Sequence, residues 1–189
     1  ATEFRRCTLE TLRQPLENGE LQLTRAIGTA TYPAIFNLIL AANPCPCGYF
    51  GSSTRCRCSA PARKRYLAKL SGPILDRIDL HIQLDNPKPH TLFETGNGLK
   101  SCEIKQRVAA AQAFAKQRRE ASTAREELYP LTPDAKALLV TSARQLNVSA
   151  RTVARVHKVS RTIADLEHVN TIQRHHVAEA LAYRVRVAL

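Results

Sequence analysis

Ile35-Phe36-Asn37-Leu38-Ile39-Leu40-Ala41-Ala42-Asn43-Pro44 is a near-continuous apolar run that stops at a polar residue and a proline. Runs of this kind are covered on both faces in parallel sheets, so the segment predicts an interior strand of an α/β sheet. Ligands of open α/β sheets sit outside the carboxyl ends of strands, which makes Asn43 the first candidate site residue. The strand leads into a loop with four cysteines, then a basic segment, then the turn Leu75-Asp76-Arg77-Ile78-Asp79.

Upstream of this strand, Phe4, Leu9, Leu12 and Leu16 fall on one face of an expected helix that Asn18-Gly19 ends. That helix starts almost without preamble, so earlier strands of the sheet are expected upstream. Glu20-Leu21-Gln22-Leu23-Thr24-Arg25-Ala26 alternates polar and apolar, Gly28 offers a turn, and Thr29-Ala30-Thr31-Tyr32-Pro33 can return as a partner strand. Arg25, near the tip of this hairpin, is a candidate DNA contact; its bland alternative is a solvated arginine.

Downstream, residues 62–70 read as a short basic helix, 80–84 as an alternating strand and 85–98 as a loop rich in Pro and Gly. Ile104, Val108, Ala111 and Ala115 mark one face of a following helix, with Lys105, Arg107, Lys116, Arg118 and Arg119 on an opposite face expected to be solvated. From Thr132 the texture is purely helical. Thr132-Pro133-Asp134 supplies an N-cap, a first-turn proline and a first-turn acid, and Ser149 and Thr171 can cap two more helices. Their apolar positions include Val153, Val156, Ile163, Leu166, Val177, Leu181 and Val185. The expected architecture is therefore α/β plus all-α. Residues 1–128 form the α/β part, with the cysteine loop at 45–58, and 129–189 form a three-helix domain.

Composition bounds what this architecture can serve. With 44% hydrophobic residues the 189-residue chain can bury a real core, and 28 Lys and Arg against 16 acids leave a net charge of +12. Such an excess favours nucleic acid, nucleotide phosphates or an anionic surface as partner, against a basic protein with no such partner. No apolar run approaches the ~18 residues a membrane helix requires, and the N-terminus has no apolar signal-peptide core. A cytoplasmic location is expected, which favours thiols or metal over disulfides.

Three constellations carry chemistry. Cys45-Pro46-Cys47 and Cys56-Arg57-Cys58 are two Cys-x-Cys pairs separated by eight residues. Four thiolates can hold a structural zinc, and the intervening loop is long enough to let the pairs converge; free or partly oxidised thiols are the alternative. A closed four-cysteine set has no open coordination position, so zinc here is structural, with Arg55 and Arg57 displayed by the knuckle toward DNA. Cys7 and Cys102 are isolated and read as small core residues. Arg77 stands inside an otherwise apolar segment, either ion-paired to Asp76 or Asp79 or offered to a phosphate of a neighbouring subunit. Arg151 places a cation in the first turn of a helix, where the dipole is already positive. A bound anion removes that conflict, while a merely solvated arginine is the plain alternative.

Asn43-Pro44-Cys45-Pro46-Cys47-Gly48-Tyr49, Ser71-Gly72-Pro73-Ile74-Leu75-Asp76-Arg77-Ile78-Asp79-Leu80, Ser149-Ala150-Arg151 and Arg161-Thr162-Ile163-Ala164-Asp165-Leu166, in this order, closely resemble the magnesium-chelatase-like AAA+ proteins. The resemblance implies the C-terminal part of an AAA+ core followed by a helical lid, in a hexameric ATPase that uses ATP with Mg2+. Within the family the likeness is to members active in natural transformation, implying a DNA helicase that promotes branch migration. It implies sensor 1 for Asn43, which orients the attacking water, and sensor 2 for Arg151. It also implies an arginine finger acting in trans for Arg77, and the place of the pre-sensor-1 insertion for the 20–33 hairpin. A chelatase-type motor remodelling a protein partner and a non-enzymatic zinc and DNA-binding module are the alternatives. The chain departs from the family pattern in two ways. It has no Gly-x-x-x-x-Gly-Lys-[Ser/Thr] loop and no complete acidic metal-binding strand, so alone it is expected to hydrolyse no ATP. The family usually carries one more residue, commonly Met, between Ala42 and Asn43, and the 189 residues contain no Met at all.

Overall fold

The computed structural model describes residues 1–51, 55–84, 98–121 and 129–185. The chain divides into two compact units, Ala1–Ile78 and a second that begins at Asp79.

In the first unit the single N-terminal helix expected from the apolar spacing is instead two, α1 (Arg6–Thr11) and α2 (Arg13–Asn18), meeting at Leu12. Pro15 accounts for the break, because it has no N–H for the Thr11 carbonyl four residues back and its ring crowds that carbonyl. Gly19 closes α2 with φ of 70°, and a Cβ there would approach Ile35 Cγ1 to 3.3 Å. The left-handed conformation favours glycine at this position. The hairpin forms as expected: β1 (Glu20–Arg25) pairs antiparallel with β2 (Gly28–Pro33), in a register running from Glu20↔Pro33 to Arg25↔Gly28. Leu21, Leu23, Ala30 and Tyr32 share one exposed face, and the Thr24 and Thr29 hydroxyls meet at 3.1 Å on the other.

The expected parallel strands are not formed. Among the described residues the hairpin is the only sheet, so the fold is mixed helical with a small two-stranded sheet. Residues 35–42 run without a sheet partner, and Ile35 and Ile39 are each 91% exposed. Interior parallel strands complete their hydrogen bonds only through neighbours on both sides, and none of the described residues supplies those. Near the end of the segment the Ala1 amino group donates to the Ala41 carbonyl. Residues 80–84 likewise form no strand; His81 N–H donates instead to the Tyr183 carbonyl at 2.9 Å. The basic helix is α3 (Ala60–Leu67), capped by Ser59, and a single turn, α4 (Gly72–Leu75), follows. Leu9, Tyr66 and Ile74 are among this unit's buried apolar residues, and Lys69 Nζ, just beyond α3, donates to the Thr2 carbonyl of the N-terminal segment at 2.9 Å.

The second unit carries α5 (Ser101–Ala121), α6 (Pro133–Gln145), α7 (Ala150–Leu166) and α8 (Arg174–Val185). Thr132 and Ser149 cap α6 and α7 as expected, accepting from the N–H groups of Ala135 and Thr152. The third cap is different: α8 starts beyond Thr171, and the His176 ring reaches back to accept the Gln173 N–H at 2.9 Å. Leu139, Val156, Ile163, Ile172 and Val177 form the core, whereas Leu166, expected there, is 39% exposed. On α5 the expected apolar face is buried only at Ala111, with Ile104 and Val108 exposed. Cys7 and Cys102 are both exposed thiols, not core residues: each lies on a helix face turned away from the nearest buried position. Of the expected 85–98 loop, residues 85–97 lie outside the described residues. No described helix is long and apolar enough to cross a membrane.

Candidate metal centre and nucleotide-site residues

Asn43-Pro44 ends the apolar segment and turns the chain into the cysteine loop, where Gly48 N–H closes a turn on the Cys45 carbonyl at 3.0 Å. The Sγ atoms of Cys45 and Cys47 are 3.4 Å apart, those of Cys45 and Cys56 3.9 Å, and those of Cys47 and Cys56 3.8 Å. All four thiols, Cys58 included, lie within 4.8 Å of one another. A zinc tetrahedron with Zn–S bonds of ~2.3 Å has edges of about 3.8 Å. The loop therefore brings together a set of donors of the right element and spacing. Their acidities diverge as uncompensated neighbours must. The Tyr49 backbone N–H and the Cys45 thiol hold Cys47 down at about 6. The Cys47 backbone N–H favours the Cys58 thiolate, but the Cys47 thiol, burial and Cys45 outweigh it and push Cys58 up to about 11. Four thiolates this close require a cation among them.

The same loop displays cations. Arg55 and Arg57 are exposed on either side of Cys56, with the Arg55 guanidinium 5.8 Å from the Tyr49 ring centroid. Arg63 of α3 donates to the Cys58 carbonyl at 3.0 Å and lies 4.6 Å from the Phe50 centroid. Arg25, at the end of β1, is exposed on the hairpin.

Asn43 is exposed and lines a cavity of about 170 Å3 with Ala1, Thr2, Glu3, Ala41, Ala42 and Tyr66. Its neighbours are thus the N-terminal segment and the buried face of α3. Arg77 is placed differently: its side chain is 6% exposed, forms an ion pair with Glu17 of α2, and donates to the Pro73 carbonyl at 2.7 Å. Asp79, one of its expected partners, pairs with Arg155 of α7. Arg151 is exposed in the first turn of α7, directly after the Ser149 cap. Asn43 and Arg77 lie in the first unit and Arg151 in the second.

Two polar clusters of the second unit went unread in the sequence. Arg118, expected on a solvated face, makes a two-pronged bond to Asp165 at 3.0 and 3.1 Å. Arg161, 3.1 Å from the same carboxylate, donates to the carbonyls of Val169 and Asn170. These three side chains are nearly fully buried. Glu167 accepts from His175 at 3.0 Å and His176 at 2.9 Å, and these two bonds hold its carboxyl below the ordinary value of 4.5. Because His176 Nδ1 accepts the Gln173 N–H, its Nε2 carries the proton and has no lone pair for a metal. This trio is a helix-start lock, and the four cysteines are the stronger metal candidate.

Comparison with known proteins covers nearly the whole chain. Residues 1–92 match the family profile described as magnesium chelatase, subunit ChlI, and residues 98–184 match that of its C-terminal part. YifB of Salmonella typhimurium is 39% identical over 189 residues, covering 96% of this chain and 37% of its own length. Competence protein ComM of Haemophilus influenzae is 38% identical over 194 residues, covering 99% of this chain and 38% of its own. Rv2897c of Mycobacterium tuberculosis is 40% identical over 186 residues, with coverages of 93% and 37%. The chain thus spans little more than a third of the length of these relatives.

Proposed function

The chain belongs to the magnesium-chelatase-like family, and from that premise we propose that it is the second half of an AAA+ nucleotide-binding core followed by its helical lid. In this reading residues 1–128 contribute to the core and 129–189 to the lid. The whole protein acts in the cytoplasm as a hexameric ATPase that couples hydrolysis to movement along DNA, and promotes branch migration during natural transformation. The name of the Haemophilus relative, a competence protein, supports that role.

The observation that carries the choice of DNA is the convergence of the four thiols on a loop that displays Arg55 and Arg57. Zinc fits that donor set, and bound there it would be structural. A knuckle of this kind has an evident use against a polyanion. The family name, magnesium chelatase, supports a second reading, a chelatase-type motor that remodels a protein partner.

ATP fits these residues only in part. The 189 residues contain no Gly-x-x-x-x-Gly-Lys-[Ser/Thr] loop, so the set that cradles a triphosphate is not among them. Mg2+ bound with the nucleotide neutralises charge on its phosphates. Asn43 is assigned to orient the attacking water, Arg151 to contact the nucleotide from the lid, and Arg77 to reach a neighbouring protomer's nucleotide. For that last role the guanidinium must exchange its carboxylate partner Glu17 for phosphate oxygens.

The test is the ATPase of the full-length protein with and without DNA, together with branch migration of a synthetic four-way junction. Hydrolysis stimulated by DNA and junction movement dependent on ATP are expected. Hydrolysis indifferent to DNA but stimulated by a protein partner refutes the DNA reading in favour of the chelatase-type one.

A further inference from the structure

We propose that the cysteine knuckle is a stacking platform for single-stranded DNA, with Tyr49 and Phe50 receiving unpaired bases. The proposal deepens the DNA reading above and rests on it for the choice of polyanion. Tyr49 and Phe50 are adjacent aromatic residues, 48% and 53% exposed, in a loop that the four cysteines close. Gly48 and Gly51 flank them with φ of 80° and 94°, left-handed conformations that let the chain turn sharply on either side of the pair. The two rings are therefore lifted onto the surface by the same turn that gathers the thiols.

Two features distinguish this pair from apolar side chains that merely happen to be exposed. The first is that each ring has a guanidinium beside it, Arg55 by Tyr49 and Arg63 by Phe50, and Arg63 is itself fixed to the Cys58 carbonyl at 3.0 Å. Arginine beside an aromatic plane is the arrangement that holds a base by stacking while it attracts the adjacent phosphate. The second is charge: between Asn43 and Leu75 the sequence holds six basic residues and no acid, and Arg57, Lys64 and Arg65 of that set are exposed. A duplex keeps its base faces stacked inside, whereas a single strand offers them, so this combination favours unpaired DNA. Arg57 and Lys64 are assigned to the phosphates.

The test titrates the chain, in zinc-containing buffer, against fluorescein-labelled oligo(dT) and a blunt duplex of equal length, following anisotropy over a range of salt. Oligo(dT) is expected to bind more tightly than the duplex. The double variant Tyr49→Ala/Phe50→Ala should weaken oligo(dT) by roughly thirtyfold or more and leave its salt dependence unchanged. The variant Arg57→Ala/Lys64→Ala should weaken both DNAs and reduce the salt slope by about 1.4, two single-strand phosphate contacts. Zinc content and circular dichroism of each variant establish that the loop is intact. Tyr49→Leu/Phe50→Leu keeps apolar bulk without π-faces and should be as weak as the alanine pair; wild-type binding by the leucine pair overturns the platform. So does oligo(dT) affinity indifferent to the alanine changes, or no measurable oligo(dT) binding at all. Duplex binding alone overturns the platform while leaving the DNA reading intact, and that reading fails separately if full-length ATPase ignores DNA.

Discussion

Removing zinc should unmake the first unit of this chain selectively. Three sulfur–sulfur distances, 3.4, 3.9 and 3.8 Å, straddle the ~3.8 Å edge of a zinc–thiolate tetrahedron, so the loop already holds its thiols near the spacing the metal needs. Binding that depends on the folded loop adds to stability by mass action, and free zinc at a hundred times its dissociation constant contributes about 2.7 kcal/mol. For a unit the size of Ala1–Ile78 that corresponds to roughly 10–20 °C in melting temperature. Elemental analysis should find one zinc per chain, and calorimetry with and without chelator should show the first unit's transition move while that of the second unit stays. Cys45→Ser/Cys56→Ser should abolish the metal, and Cys7→Ser/Cys102→Ser, exposed thiols outside the set, should not. A metal-free sample that melts like the loaded one, or zinc retained by the first variant, refutes the reasoning.

Other expectations follow from the charged clusters. Arg77→Ala in the full-length protein should preserve nucleotide binding and lower ATP hydrolysis by roughly a thousandfold or more; unchanged hydrolysis reduces Arg77 to the partner of Glu17. Asp165→Ala leaves the buried guanidiniums of Arg118 and Arg161 without their shared carboxylate, and should cost about 3–5 kcal/mol in urea unfolding of the second unit. Glu167, held below its ordinary value of 4.5 by His175 and His176, contributes stability that is present above that pH and lost as pH falls through the depressed value. Glu167→Gln should therefore flatten the acid limb of the stability profile, and a limb of unchanged steepness assigns the loss to other carboxylates.

What the sequence made legible was local. A cap is a side chain and an N–H three residues apart, so Thr132 and Ser149 could be identified by type and position; the hairpin was legible from its alternation, although its turn falls at 26–27 and Gly28 opens β2. The two Cys-x-Cys pairs were equally legible, because metal chemistry requires four thiols and the spacing limits how they can meet. Apolar runs were less informative. The pattern of residues 35–42 states that the segment suits burial, but burial is conferred by neighbours, and Ile35 and Ile39 stay 91% exposed among the described residues.

The arginines show the same distinction in sharper form. A guanidinium embedded in apolar sequence must find compensation, because its desolvation is too costly to leave unpaired. Sequence therefore reveals the need for a partner without revealing which. Arg77 was offered Asp76 or Asp79, and it also reaches Glu17, sixty residues back; Asp79 goes to Arg155, seventy-six residues on. Arg118, written among solvated charges, belongs to Asp165 across forty-seven residues. The run from Arg161 to Leu166 contributes to the family resemblance, yet its Arg161 and Asp165 are spent on a buried lock between α5, α7 and the turn after α7. Arg151 differs from these in being exposed at a helix start, while Asn43 lines an open cavity. For Arg77 the proposed role therefore requires that a phosphate outcompete Glu17.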